Sequence, residues 1–232
     1  MTAESVSIEG AGEAGALPGL LTVPERPRAL YLLAHGAGAG MRHAFMESLC
    51  AALFAERIAV LRWEFPWMAA GGRRPDRPAV AVPAVRRAVD AARALNAGRG
   101  LDLPLFVGGK SFGGRMTSTA ESEEALPGVS GLVFVGFPLH PAGKPDVRRA
   151  EHLAEVTRPM LFMQGTRDKL AELDLMRAVV GDLGPGATLH LEDDADHGFH
   201  VRKRSGRDDE QVVRSLAETA ARWMVDRDRP GD

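Results

Sequence analysis

The stretch that decides the fold is "PLFVGGKSFGGRM", residues 104–116. Its centre, Gly109-Lys110-Ser111-Phe112-Gly113, satisfies parts of two motifs. "GGKS" looks like the end of a phosphate-cradling loop, with Lys110 reaching a nucleotide and Ser111 holding Mg²⁺. "GKSFG" has the G-x-S-x-G spacing of a nucleophile elbow, a strand-turn-helix that lifts a serine above a sheet. Spacing separates the two. The phosphate loop needs its first glycine at position 104, which is Pro104. Leu105, Phe106 and Val107 are strand formers, so their backbone groups are expected in a sheet and not around an anion. No apolar strand ending in Asp supplies a convincing second Mg²⁺ ligand. The elbow fits: its glycines flank the serine because the turn is too tight for a Cβ.

A serine hydroxyl is a weak nucleophile until a base takes its proton, and the base needs an acid to orient it. With an elbow the chain order is Ser, acid, His. "LFMQGTRDKL" puts Asp168 just past a strand, 57 residues after Ser111 (168 − 111). "DDADHGFHV" puts His197 in the loop after the next strand, 29 residues further on (197 − 168). Carboxyl ends of parallel strands gather along one edge, so Ser111, Asp168 and His197 can converge there. An N-cap role for Asp168 is compatible with this one. Asp193, Asp194 and Asp196 sit beside the histidine and not on a neighbouring strand. His200 precedes the basic run "VRKRSGR", and a zinc reading of His197 with His200 lacks a third ligand. His43, His140, His152 and His190 read as structural or surface groups, with His140 set apart because it follows a strand end. The donors expected for an oxyanion are the backbone N–H groups of Phe112 and of Ala37, the latter in the Gly-rich loop "AHGAGAGM".

Short strands are expected at 4–9 and 19–23, joined by a Gly-rich connection. The main strands are expected at 29–36, 58–65, 103–109, 130–137, 158–165 and 187–193, the last as an edge-side strand. Helices are expected at 42–57, around Val82, Val85, Val89 and Ala92 with Pro83 in the first turn, from Ser111 to about 121, at 170–183 and at 208–227. Strands and helices alternate, and the strands are continuous apolar runs. The fold class is therefore α/β: a doubly wound, mostly parallel sheet with helices on both faces. Between Phe137 and Arg158 there is room for one short helix and none for a large lid. The 232 residues are expected to form one domain, residues 1–28 as leading strands and 29–232 as the β/α core.

The chain is 45% hydrophobic and 26% charged with net charge −2, so no long-range field favours nucleic acid or an anionic membrane. No apolar run reaches the length of a membrane span. The N-terminal "MTAESVSIEGAGEAG" lacks a basic start and an apolar core, which points to a cytoplasmic protein. Cys50, the single cysteine, lies on the apolar stripe of "FMESLCAALF" and reads as a core thiol.

Together "LLAHGAGAGM", "RWEFPWM", "GGKSFGGRM", "GFPLHPAGKP", "QGTRD" and "DHGF" resemble the α/β-hydrolases, and more narrowly the small, lidless KANSL/Tex30-like group, distant from dienelactone hydrolases. The resemblance runs from about residue 29 to the C-terminus. It implies a Ser-His-Asp catalytic machine, cytosolic and without cofactor, and it implies no known substrate. It also admits a non-catalytic scaffold, since some eukaryotic relatives look like one, although the elbow here is complete. The residues themselves point to an esterase or thioesterase without metal, acting on a small-molecule ester. The walls of the acyl pocket are expected from "RWEFPWM" and "PLHPAGKP", with Trp63, Trp67 and Met68 as apolar surface and Arg73, Arg74 or Lys144 as charge, and His140 nearby.

Overall fold

A computed structural model describes residues 1–9 and 15–227. Part of the Gly-rich connection between the first two strands therefore lies outside the described residues, as do the last five residues of the expected domain. Eight strands form one sheet in the order β1-β2-β4-β3-β5-β6-β7-β8. They are β1 (Glu4–Ile8), β2 (Leu17–Thr22), β3 (Ala29–Ala34), β4 (Ile58–Trp63), β5 (Leu105–Lys110), β6 (Val129–Val135), β7 (Met160–Gly165) and β8 (Ala187–Glu192). From β4 to β8 every neighbouring pair is parallel, whereas β2 runs antiparallel to both β1 and β4. The helices are α1 (Ala44–Ala55), α2 (Pro66–Ala69), α3 (Pro78–Gly98), α4 (Phe112–Glu123), α5 (Leu173–Asp182) and α6 (Asp209–Arg227).

The parallel strands read as unbroken apolar runs because both of their faces are covered. Alternate residues feed two cores. Tyr31, Leu33, Val60, Phe106 and Val133 meet α1 and α6 on one face. Leu32, Leu61, Val107, Leu132 and Phe134 meet α3, α4 and α5 on the other. Cys50 is buried in the first of these cores, with its thiol pKa pushed up by burial, as a packing thiol should be.

Most element ends shift by a few residues from the sequence reading, and three differences have a clear physical cause. Pro83 lies in the second turn of α3, not the first: Pro78 occupies the N-terminal position, and the helix runs on through Pro83 without that residue's N–H. Pro66 ends β4 but also opens α2, a single turn within the expected loop. Helix α5 begins at Leu173, because residues 168–172 form a turn tied to the chain after β6. There Leu170 O accepts the N–H groups of Leu139 and His140. The 137–158 connection carries only a 3-10 helix, Arg148–Glu155.

The strand order reverses direction between β3 and β5. At such a switch point the loops leaving the two strands diverge and open a crevice above the sheet. The loop after β3 is Gly36–Gly40, and the turn after β5 is Ser111.

Candidate active site

Ser111 joins β5 to α4 with φ 50° and ψ −112°, a region rarely occupied by residues other than glycine. The turn is possible because Gly109 leaves room for it. A Cβ on Gly109 would stand 2.2 Å from the carbonyl oxygen of Ala34 on β3. Ser111 caps α4 without a side-chain capping bond, so its hydroxyl remains free to point upward. Phe112 is the first residue of α4, where a backbone N–H has no intrahelical acceptor.

The three side chains singled out in the sequence stand in line. Ser111 Oγ is 2.9 Å from His197 Nε2, and His197 Nδ1 is 2.7 Å from Asp168 Oδ2. With a neutral imidazole, Nδ1–H donates to the carboxylate and Nε2 accepts the serine proton. Asp168 is buried, and its charge is matched by donors. Gln164 Nε2 donates to Oδ2 at 2.5 Å, and the Leu170 N–H donates to Oδ1 at 2.8 Å. The possible capping role of Asp168 thus appears as a cap on the turn before α5. His197 belongs to the loop after β8, three strands from β5. That loop is drawn back across β7 by Arg167, whose N–H donates to Ala195 O and whose guanidinium donates to Asp194 O.

The cavity above Ser111 holds about 410 Å³. Ala37, Met46, Phe45, Leu170 and His197 are among its walls. Ala37 lies within the loop Gly36–Gly40, which is fixed from below by His35. Buried His35 donates from Nδ1 to Gly36 O (2.7 Å) and accepts the Phe65 N–H at Nε2 (3.1 Å). Its burial lowers its pKa and keeps it neutral, as that pair of bonds requires.

A family model described as "Alpha/beta hydrolase domain" matches residues 27–225. The chain belongs to the alpha/beta hydrolase family. Among solved structures of this fold, a dienelactone hydrolase from Anabaena variabilis superposes with a TM-score of 0.74 at 20% identity, covering 97% of each chain. A serine hydrolase without lid from Xanthomonas campestris gives 0.70 at 20% identity, covering 95% of this chain and 94% of that one. Est1E from Butyrivibrio proteoclasticus gives 0.68 at 15% identity, covering 94% and 98%.

Within this alpha/beta hydrolase the expected pocket walls need correction. Trp63 and Trp67 are only 1% and 5% exposed; Trp67 stacks on Phe65, and Trp63 packs against the same ring at a tilt. Phe65 and Trp67 each meet the Phe112 ring edge-on, at 5.3 and 5.2 Å. The chain after β4 turns back under α4 through α2, so its aromatics form a floor and not a wall. Arg73, Arg74 and Lys144 are exposed and do not line the cavity. His140 is buried and structural: Nδ1 donates to Pro141 O, and Nε2 accepts the Glu172 N–H. The cavity wall comes instead from the loop after β3 and the start of α1.

Two further histidine clusters are separate from the cavity. His200 is exposed and pairs with Asp209, which raises its pKa. Ser118 and His152 form a second Ser–His contact at 2.7 Å. Ser118 is fully buried in the middle of α4, and its hydroxyl also lies 2.9 Å from Arg115 O. Burial and the Arg115 charge lower the His152 pKa to about 4. Among the described residues no carboxylate bonds that imidazole, so the contact ties the 3-10 helix to α4. No group of three or more His, Cys, Asp or Glu side chains suited to a metal occurs among the described residues, and no helix there is long and apolar enough to cross a membrane. Sequence reasoning missed the hydrogen bonds that His35 and Gln164 make beside the site, and the bond from Lys110 to the His197 carbonyl. Only Lys110 left a signal, as the one lysine set in an apolar strand.

Proposed function

We propose that this protein is a serine hydrolase that cleaves a small acyl ester or thioester without a cofactor, through an acyl-enzyme on Ser111. The observation that carries this reading is the unbroken line of hydrogen bonds from Ser111 Oγ through His197 to Asp168. His197 takes the Ser111 proton as the hydroxyl attacks the acyl carbon, and returns it to the leaving oxygen or sulfur. Water, activated by the same imidazole, then releases the acid. Asp168 holds the tautomer and stabilises the imidazolium. The N–H groups of Phe112 and Ala37 receive the oxyanion. The first stands at a helix N-terminus, where the dipole favours negative charge. The modest cavity and its Ala, Met, Phe and Leu lining support a small, largely apolar acyl group.

A fluorophosphonate probe tests the assignment. Wild type should be labelled on Ser111, and Ser111→Ala should abolish labelling while lowering kcat on p-nitrophenyl acetate by up to roughly 10⁶-fold. A folded wild type that resists the probe and leaves the ester intact would make the fold a binding scaffold instead.

A further inference from the structure

Lys110, the variable residue of the elbow, is the only one of the chain's four lysines (Lys110, Lys144, Lys169, Lys203) that is not exposed. It ends β5 immediately before Ser111. Its ammonium does not turn to solvent. Nζ donates to the backbone carbonyl of His197 at 2.6 Å. It stands 5.9 Å from the centroid of Phe45 and 5.4 Å from that of Phe199, two rings that stack on each other at 5.6 Å. Gly136, at the end of β6, leaves the space: a Cβ there would lie 3.0 Å from Nζ and 3.6 Å from His197 Nδ1. Among the described residues no carboxylate comes within 4.0 Å of the nitrogen, so the cation is not there for an ion pair. A methionine would fill the same slot at less cost in desolvation.

We propose that Lys110 is a positioning residue, whose ammonium ties the His197 loop to the nucleophile's own strand and so sets the His197–Ser111 distance. The proposal rests on the serine-hydrolase reading above. The other backbone hydrogen bonds of residues 196–199 are made within that loop: Asp196 N–H to His200 O, Phe199 N–H to Asp196 O, and Gly198 N–H to the Asp196 carboxylate. They shape residues 196–199, while Arg167 holds the base of the loop, at Asp194 and Ala195, across β7. Lys110 supplies a charge-assisted bond from outside it, to the carbonyl of the histidine itself. Asp168 and Asp196 are the carboxylates that face the ammonium and favour its charge. Burial outweighs them and lowers its pKa to about 8. The donor should therefore weaken within reach of ordinary assay conditions, since a neutral amine is a poorer donor and loses the attraction of both rings.

The test compares wild type, Lys110→Met, and Lys110→Cys before and after alkylation with 2-bromoethylamine, which restores an amine at nearly the original reach. Three quantities are read: kcat and KM on p-nitrophenyl acetate, the rate of fluorophosphonate labelling from pH 6 to 10, and Tm. Lys110→Met should lower kcat and the labelling rate together by roughly 10- to 100-fold, the scale of a small misplacement of reacting groups. Its KM should stay within about twofold and its Tm should not fall. Alkylated Lys110→Cys should recover most of the rate. The wild-type labelling rate should decline above about pH 8, and that limb should be missing in Lys110→Met. Labelling of Lys110→Met at the wild-type rate would overturn the proposal and leave the serine-hydrolase reading standing. So would a loss that alkylation does not repair. A wild type that is not labelled at all would remove both.

Discussion

At Ser111 the backbone holds a conformation that costs on the order of 1–3 kcal/mol in an L-residue. The flanking strand and helix are too well packed to release it, and the strain keeps the hydroxyl clear of its own helix. The buried carboxylate behind His197 is equally over-determined. Asp168 accepts from His197 and Gln164 at Oδ2 and from the Leu170 N–H at Oδ1. Asp168→Asn keeps the shape but can present an amide N–H toward Nδ1, forcing the proton onto Nε2, where Ser111 must be received. The expected loss in kcat is on the order of 10⁴-fold with little change in fold, read from steady-state ester hydrolysis and circular dichroism. A loss of less than tenfold would mean that Asp168 does not set the tautomer.

Among the elements, the loop after β3 shows what a sequence exposes and what it hides. Its glycines and its place after an apolar strand are visible in "LLAHGAGAGM". The strut beneath it is not. His35 reaches Phe65, thirty positions away, and that partnership exists only because β3 and β4 are paired in parallel. The same holds for "RWEFPWM", whose aromatics suit a wall or a floor equally until α2 is known to turn under α4. Helix α3 was legible from its valines, but its start was not, because Pro78 and Pro83 compete for the first-turn position. His35→Phe conserves bulk and removes both bonds, stranding Gly36 O and the Phe65 N–H. It should cost about 2–4 kcal/mol in a urea titration. It should also lower kcat at least tenfold under conditions where the protein stays folded, through the displaced Ala37 N–H. Full stability with full activity would show that the loop holds itself.

At the scale of the whole molecule, the convergence of Ser111, Asp168 and His197 was readable because each lies just beyond a strand, and parallel strands send those ends to one edge. Lys110 was not readable as a support, because its acceptor is 87 residues away. Its burial has a consequence for global stability with a sign opposite to its proposed effect on rate. The folded pKa of about 8 lies below the ordinary lysine value of 10.5, so between these values the unfolded chain binds a proton that the folded chain has lost. Stability from this group therefore rises as pH increases through that window, and the penalty is fully present below about pH 8. Tyr31 acts the other way above about pH 10, since burial raises its phenol pKa and the unfolded chain alone ionises. Lys110→Met retains Tyr31, so the difference between the two proteins isolates the lysine. From pH 7.5 to 10 the Tm of wild type should climb relative to Lys110→Met by about 4–8 °C. This corresponds to on the order of 2 kcal/mol after allowance for the residue's partial exposure. Over the same range the wild-type labelling rate should fall. A constant Tm difference would show that the ammonium is solvated and keeps its ordinary pKa, and the alkaline decline in rate would then belong to another group.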